Sequence, residues 1–161
     1  MTSIAPKPVK PIKDPEFEIT ETTSGTWKTH VDPKRKTKYS EFRSDAELFG
    51  KPLVSIVSGI DPRTRKMGLA DGHIAIGQRA RGTIAIGQFC NGSVFALGQF
   101  CTSRFAAIGQ FVAAPICVGQ FAFGVLALGQ FALGLLALGQ IGFAAVGLFP
   151  IEIDPSIFLP G

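Results

Sequence analysis

Histidines and cysteines are the residues of this 161-residue chain whose types suggest catalysis or metal binding, and they are few. His73 lies two residues from Asp71, but the sequence places no nucleophile to join this pair, and His30 stands alone. We therefore expect His73 to be a structural residue and predict no catalytic residue.

The three cysteines do not have the spacing of a metal site or of a disulfide framework. Cys90, Cys101 and Cys117 are 11 and 16 residues apart, whereas zinc sites usually contain Cys-x-x-Cys pairs. Each occupies the small-residue position of a repeat described below, so we expect buried thiols that act as small hydrophobic groups. No metal site is predicted, and three cysteines fit a reducing cytoplasm.

The 19 glycines raise the possibility of a phosphate-binding loop, which the pattern does not favour. Such a loop joins a strand to a helix, and no strand–loop–helix unit is visible around these glycines. We therefore predict that the protein is not an enzyme, has no cofactor and binds no small-molecule substrate.

Charge divides the chain into two parts. Ten of the twelve acidic residues precede residue 72, whereas no charged residue lies between Phe105 and Ile151. Acidic residues interspersed with the basic ones argue against nucleic-acid binding. The N-terminus lacks the apolar run of a signal peptide, so the expected location is cytoplasmic, with leaderless export or membrane association as alternatives.

The first half of the sequence predicts an arm followed by a β-rich cap. Proline-spaced charges in residues 1–24 predict a flexible or extended arm. Residues 25–73 predict a cap, in which "TWKTHV" and "TKYSEF" form a hairpin. Leu53–Ile60 and Ile74–Ile76 are expected to form a second strand pair about a turn at Asp61-Pro62. Residues 149–161 are expected to form a C-terminal cap or tail.

A ten-residue repeat dominates residues 74–148. Gly-Gln pairs recur at intervals of 10, 11, 11, 10, 10 and 10 residues, and the two longer intervals predict a local bulge. Each decad consists of two similar pentads. The glutamines, which we expect to stack and to hold the repeats in register, are Gln78, Gln88, Gln99, Gln110, Gln120, Gln130 and Gln140.

These intervals predict an all-β fold, a narrow β-solenoid of about ten residues per coil with an N-terminal β-hairpin cap. Glycine suits the tight corners, and coils about 4.8 Å apart would pair their backbones with the coils above and below. Two transmembrane helices within residues 105–149 are the competing interpretation. On a helix, successive glutamines ten residues apart would be rotated by about 280° around the axis. They would then not share one face, which argues against helices. The pattern leaves open whether one coil holds ten or twenty residues.

Size decides which side chains should face inward, because a ten-residue coil encloses a thin interior. We expect the small set inside: Ala85, Cys90, Ala96, Cys101, Ala107, Cys117, Ala122, Ala127, Ala132 and Ala137. The large set would then form an outward column used in assembly: Phe89, Phe100, Phe111, Phe121, Phe131 and Ile141. The alternative places the large set inside a thicker coil.

The decad "ALGQFALGLL" resembles the ten-residue coils of midge antifreeze solenoids, which implies tight coil geometry. The stretch "LFGKPLVSIVSGIDPRTRKMGLADGHIAIGQRARGTIAIGQ" is similar to a group of small, uncharacterised bacterial proteins with Ala-Ile-Gly repeats. That resemblance implies a bacterial source and the same architecture, with no established activity.

Three functional hypotheses follow. The first is a structural subunit that assembles with itself into a fibre or a higher oligomer through its apolar columns. The second is a membrane-associated scaffold whose apolar column rests in lipid. The third is a surface-binding module for ice or polysaccharide.

Overall fold

A computed structural model describes residues 15–33, 36–148 and 151–152, without the side chains of 145–148 and 151–152. The described residues form an all-β fold, as the sequence predicts, with a mixed eight-stranded sheet in the order β1-β2-β3-β6-β7-β8-β9-β10 and a small β4-β5 pair. The strands are β1 (Glu18–Thr22), β2 (Gly25–Asp32), β3 (Thr37–Ser44), β4 (Glu47–Leu48), β5 (Lys51–Pro52), β6 (Val54–Ser58), β7 (Leu69–Ser103), β8 (Ala106–Ala113), β9 (Ile116–Leu148) and β10 (Ile151–Glu152).

The N-terminal strands form an antiparallel meander. The predicted hairpin is confirmed, since β2 pairs with β3 from Gly25↔Ser44 to Asp32↔Thr37. Within the predicted flexible or extended arm, residues 18–22 form the extended strand β1, which pairs antiparallel with β2. All five β1 residues are exposed, so backbone pairing and not burial of a face holds this strand. Residues 1–14 of the predicted arm lie outside the described residues.

The predicted strand pair about Asp61 exists, but its strands run parallel and do not form a hairpin. Val54 of β6 pairs with Ile74 of β7 in parallel register. Between the strands, a small closed loop is tied by an isolated bridge between Ile60 and Met67, and the Asp61 carboxylate accepts hydrogen bonds from Arg63 N and Thr64 Oγ1. Gly68 N donates to Gly59 O at 2.9 Å, so the two ends of the loop lie side by side.

In the repeat region, strands pair in parallel, and each paired residue lies one repeat away in the sequence from its partner. Phe95 of β7 pairs with Ala106 of β8, an offset of eleven residues, and Ala106 pairs with Ile116 of β9, an offset of ten. At the far end, Ile151 pairs with Ile141 in the same sense. Residues 106–113 and 116–148 are strands, so the interpretation of this region as paired helices is wrong. Residues 149–150 and 153–161 of the predicted C-terminal cap lie outside the described residues.

The core of the repeat region consists of small side chains, as predicted. Every member of the predicted inward set is buried, and Ala85, Ala96 and Ala127 have no exposed surface. The core also includes Val112. Ser55 is buried and pairs with Ala75 in the β6–β7 register, so the core extends from the repeat region to the N-terminal strands. Alanine is favoured because a larger residue would meet side chains from the opposite strand segment.

Glycine is required where successive repeats approach most closely. A Cβ added at Gly109 would overlap the carbonyl oxygen of Gly98, one repeat earlier. The same relation joins Gly129 to Gly119. The Gly of each Gly-Gln pair therefore lies directly over its predecessor, where any side chain would push the repeats apart.

Each of the two eleven-residue intervals places its extra residue in the link between two buried residues, which we call an enlarged corner. Between buried Cys90 and Ala96 there are five residues, whereas Ala80 and Ala85 are separated by four. In the next repeat the strand is interrupted at residues 104–105. Ser103 Oγ donates to Val94 O at 3.0 Å, so the two enlarged corners are bonded to each other.

Candidate functional site

Five phenylalanines form a stacked column on the surface, which we call the Phe column: Phe89, Phe100, Phe111, Phe121 and Phe131. Neighbouring ring centroids lie 4.6–5.4 Å apart with interplanar angles of 0–11°. Phe89, Phe100, Phe111 and Phe131 are each 40–47% exposed. These four members of the large set face outward, as expected, whereas Phe121 and Ile141 are half-buried. Parallel register brings the rings together, since Phe111 pairs with Phe100 on one side and with Phe121 on the other, its counterparts one repeat away.

The predicted glutamines lie beside this column, on the surface of the repeat region. Gln78 is half-buried, and the six from Gln88 to Gln140 are exposed. Among the side-chain hydrogen bonds of the described residues, none joins one of these amides to the next. Stacking of the repeats thus rests on backbone pairing and on the rings, and the amide column remains available to solvent.

A second set of exposed apolar side chains, the aliphatic face, flanks the buried small residue in the other pentad of each repeat. In the later repeats its exposed members include Ile116, Val118, Leu126, Leu136 and Leu138. Each pair brackets one buried residue, as Leu126 and Leu128 bracket Ala127. None of the residues at these flanking positions, from Ile74 to Leu138, is charged. The repeat region therefore presents two apolar surfaces, of which the sequence prediction named only the Phe column.

The three thiols are buried, and their environment suppresses their reactivity. Burial raises the pKa of all three, and for Cys101 burial and the neighbouring Cys90 raise it to about 12. Cys90 Sγ donates to Gly87 O at 3.1 Å and lies close to Leu97 O at 3.2 Å. A nucleophilic cysteine needs a stabilised thiolate, so these residues fit the predicted packing role.

The histidines are held by hydrogen bonds within the N-terminal half. His73 Nε2 donates to Leu48 O at 2.8 Å, which leaves Nδ1 to accept from Thr83 Oγ1 at 3.1 Å. This histidine thus joins the β4–β5 pair to the first repeats. His30 Nδ1 lies 2.7 Å from Glu16 O. Within the described part of the chain, neither imidazole ring contacts a cysteine or a serine side chain.

A polar cleft of about 310 Å³ lies at the enlarged corners and was not anticipated from the sequence. Its described lining includes Lys51, Arg81 and Arg104, together with His73, Thr83, Asn91 and Ser93. The two eleven-residue intervals were the available signal, since they shift Arg104 relative to the ten-residue pattern.

No family model, curated protein or solved structure matches this chain. Within the described residues, no three His, Cys, Asp or Glu side chains are grouped as a metal site. In that same part of the chain, no helix is long and apolar enough to cross a membrane. The apolar surfaces and the polar cleft are therefore the features from which function must be argued.

Proposed function

We propose that the repeat region is a narrow β-solenoid and that the protein is a structural subunit that assembles with itself through apolar surfaces. The solenoid is supported by parallel pairing at offsets of ten and eleven residues. A straight strand of 35 residues would extend roughly 115 Å. Yet Gly87 in β7 lies over Gly77 of the same strand, so the strand must turn back once per repeat.

The observation that carries the proposed assembly is the exposed Phe column. At 40–47% exposure, and with roughly 200 Å² per aromatic side chain, Phe89, Phe100, Phe111 and Phe131 leave on the order of 350 Å² of ring surface in water. Burying that area is worth about 9 kcal/mol before ordering costs, at ~25 cal/mol per Å². An apolar patch of this size, with the aliphatic face in addition, is typical of an interaction surface.

The two apolar surfaces favour an extended assembly over a closed dimer. In a ten-residue coil, the strand segment around Ala127 and the one around Ala132 lie on opposite sides of the thin core. A dimer formed through the Phe column would leave the aliphatic face uncovered. A subunit with two such surfaces adds further subunits side by side, which produces fibres or larger oligomers.

Electron microscopy of detergent-free protein across a concentration series tests this proposal. We expect ordered filaments or uniform large particles, and a shift to small particles in Phe111→Lys, which places a charge within the column. Gln120→Lys is the matched control, since it adds the same charge at an exposed position off the column. Small monodisperse particles of the wild type at all concentrations would overturn assembly and favour a surface-binding module.

A membrane-associated scaffold is the second candidate, favoured by the charge-free stretch from Phe105 to Ile151. Leu133 and Leu136, on the two sides of the proposed coil, are 47% and 45% exposed. Lipid would cover both sides at once. Protein that is recovered only with detergent, and that floats with vesicles, would support this candidate over self-assembly.

A further inference from the structure

We propose that the cleft at the enlarged corners is a binding site for a phosphate group. The cleft is lined by cations and hydrogen-bonding side chains, and no phenylalanine is among its described lining residues. Arg81 and Asn91 also line a neighbouring depression with Phe89 and Phe100, so the cleft borders the Phe column. Its test measures phosphate binding directly and is separate from the test of assembly.

The cations that line the cleft are incompletely neutralised. Lys51 Nζ forms an ion pair with Asp71 at 2.7 Å. Arg81 and Arg104 have no carboxylate partner among the described residues, and no carboxylate is among the described residues that line the cleft. Counting Lys51, Arg81 and Arg104 against Asp71 leaves two positive charges, which matches a dianionic phosphate monoester.

The enlarged corners bring these groups to one place. Arg81 belongs to a ten-residue repeat, whereas Arg104 follows Ser103 in the bulged corner two repeats later. Each of two consecutive repeats holds one extra residue at this place, and the bond from Ser103 Oγ to Val94 O joins the two corners. Arg104, next to Ser103, lines the same cleft as Arg81.

The neutral side chains fit an oxyanion better than an apolar ligand. Asn91 Nδ2 donates one hydrogen to Thr102 Oγ1 at 3.2 Å and retains a second one for a ligand. His73 fixes Thr83 at the cleft wall through the bond to its hydroxyl. Two guanidinium groups, an ammonium group and an amide are the donors that bind phosphate oxygens in proteins.

Calorimetric titration of the protein with inorganic phosphate at constant ionic strength tests the site. A second experiment measures co-sedimentation of the protein with phosphatidylcholine vesicles that contain phosphatidic acid. We expect the wild type to bind and Arg81→Gln/Arg104→Gln to lose at least about tenfold in affinity, since hydrogen bonds between ions are lost. Arg79→Gln is the matched control, because Arg79 lies in the same repeat as Arg81 but does not line the cleft.

Each outcome bears on the proposal. Binding of inorganic phosphate that the double variant loses supports a soluble phosphate compound as ligand. Binding of phosphatidic acid vesicles alone, with the same loss, supports a lipid headgroup as its source. Absence of binding to either probe overturns the proposal, as does an equal loss in Arg79→Gln, which would indicate attraction by overall charge.

Discussion

Phe111 and Phe121 lie with their rings parallel, at an interplanar angle of 0° and a centroid separation of 4.6 Å. The two residues are paired in the β8–β9 register. Their ring separation is therefore close to the spacing of about 4.8 Å between adjacent strands. The backbone sets the position of each ring, and the rings in turn cover the outer surface of the sheet.

Phe121→Ala should lower the free energy of unfolding by about 2 kcal/mol, since it removes ring contacts with both Phe111 and Phe131. Urea unfolding followed by circular dichroism measures this loss. Phe123→Ala is the control, because Phe123 is 46% exposed and forms no ring stack among the described residues. Equal losses in the two variants would show that the stacked geometry contributes nothing beyond the area buried.

Ala127→Leu should destabilise the protein by about 1–3 kcal/mol, because Ala127 has no exposed surface and the thin core cannot accept a larger side chain. Thermal unfolding measures the effect. Ala113→Leu adds the same atoms at an exposed position and should leave the melting temperature nearly unchanged. A stable Ala127→Leu variant would mean that the core has unfilled space.

Gly109→Ala should be more damaging than its single added methyl group suggests, with a cost of about 2 kcal/mol or more. The new Cβ would overlap the backbone oxygen of Gly98, which cannot move without separating two repeats. Hydrogen exchange of the amides in β8 should then accelerate relative to those in β2, which is far from the change. Gln110→Ala, at the adjacent exposed residue, should leave both rates as they are in the wild type.

The buried thiols predict a loss of stability in alkali. The pKa of Cys101 rises from 9.0 to about 12 on folding, so the unfolded chain loses this proton at a lower pH than the folded chain does. The stabilising contribution is complete below about pH 9 and decreases as the pH rises toward 12. Urea unfolding at roughly pH 7.5, 9 and 10.5, values chosen to span the onset of this change, should show a smaller decline in Cys101→Ala than in the wild type. An identical decline in both proteins would assign it to other groups, such as Tyr39, whose pKa burial also raises.

The sequence anticipates the features that periodicity controls, and it misses those that depend on contacts between distant residues. Alternation of small and large residues correctly placed Ala127 inside and Phe131 outside, because a thin core accepts only the small set. The parallel direction of β6 could not be derived in this way. The loop between the two strands is closed by a bridge between Ile60 and Met67, a contact that is not apparent from composition.

The polar cleft was missed for a related reason. Arg81 and Arg104 are 23 residues apart, and each alone looks like a solvated surface charge. Only the parallel stacking of repeats brings their corners together, and only the extra residues change the shape of those corners. β1 was missed because its residues gain backbone hydrogen bonds without burying a face, so its sequence has no amphipathic signal.

The parallel pairing of β8, with β7 on one side and β9 on the other, has an evolutionary consequence. In the proposed solenoid each repeat would meet only the one before it and the one after it, so a repeat copied or deleted in frame would leave every other pairing with an equivalent partner. The length of the repeat region could then change in whole steps, without any alteration of the N-terminal strands. Residues 91–95 and 102–106 are the exception, because each segment holds an extra residue and Ser103 Oγ donates to Val94 O between them.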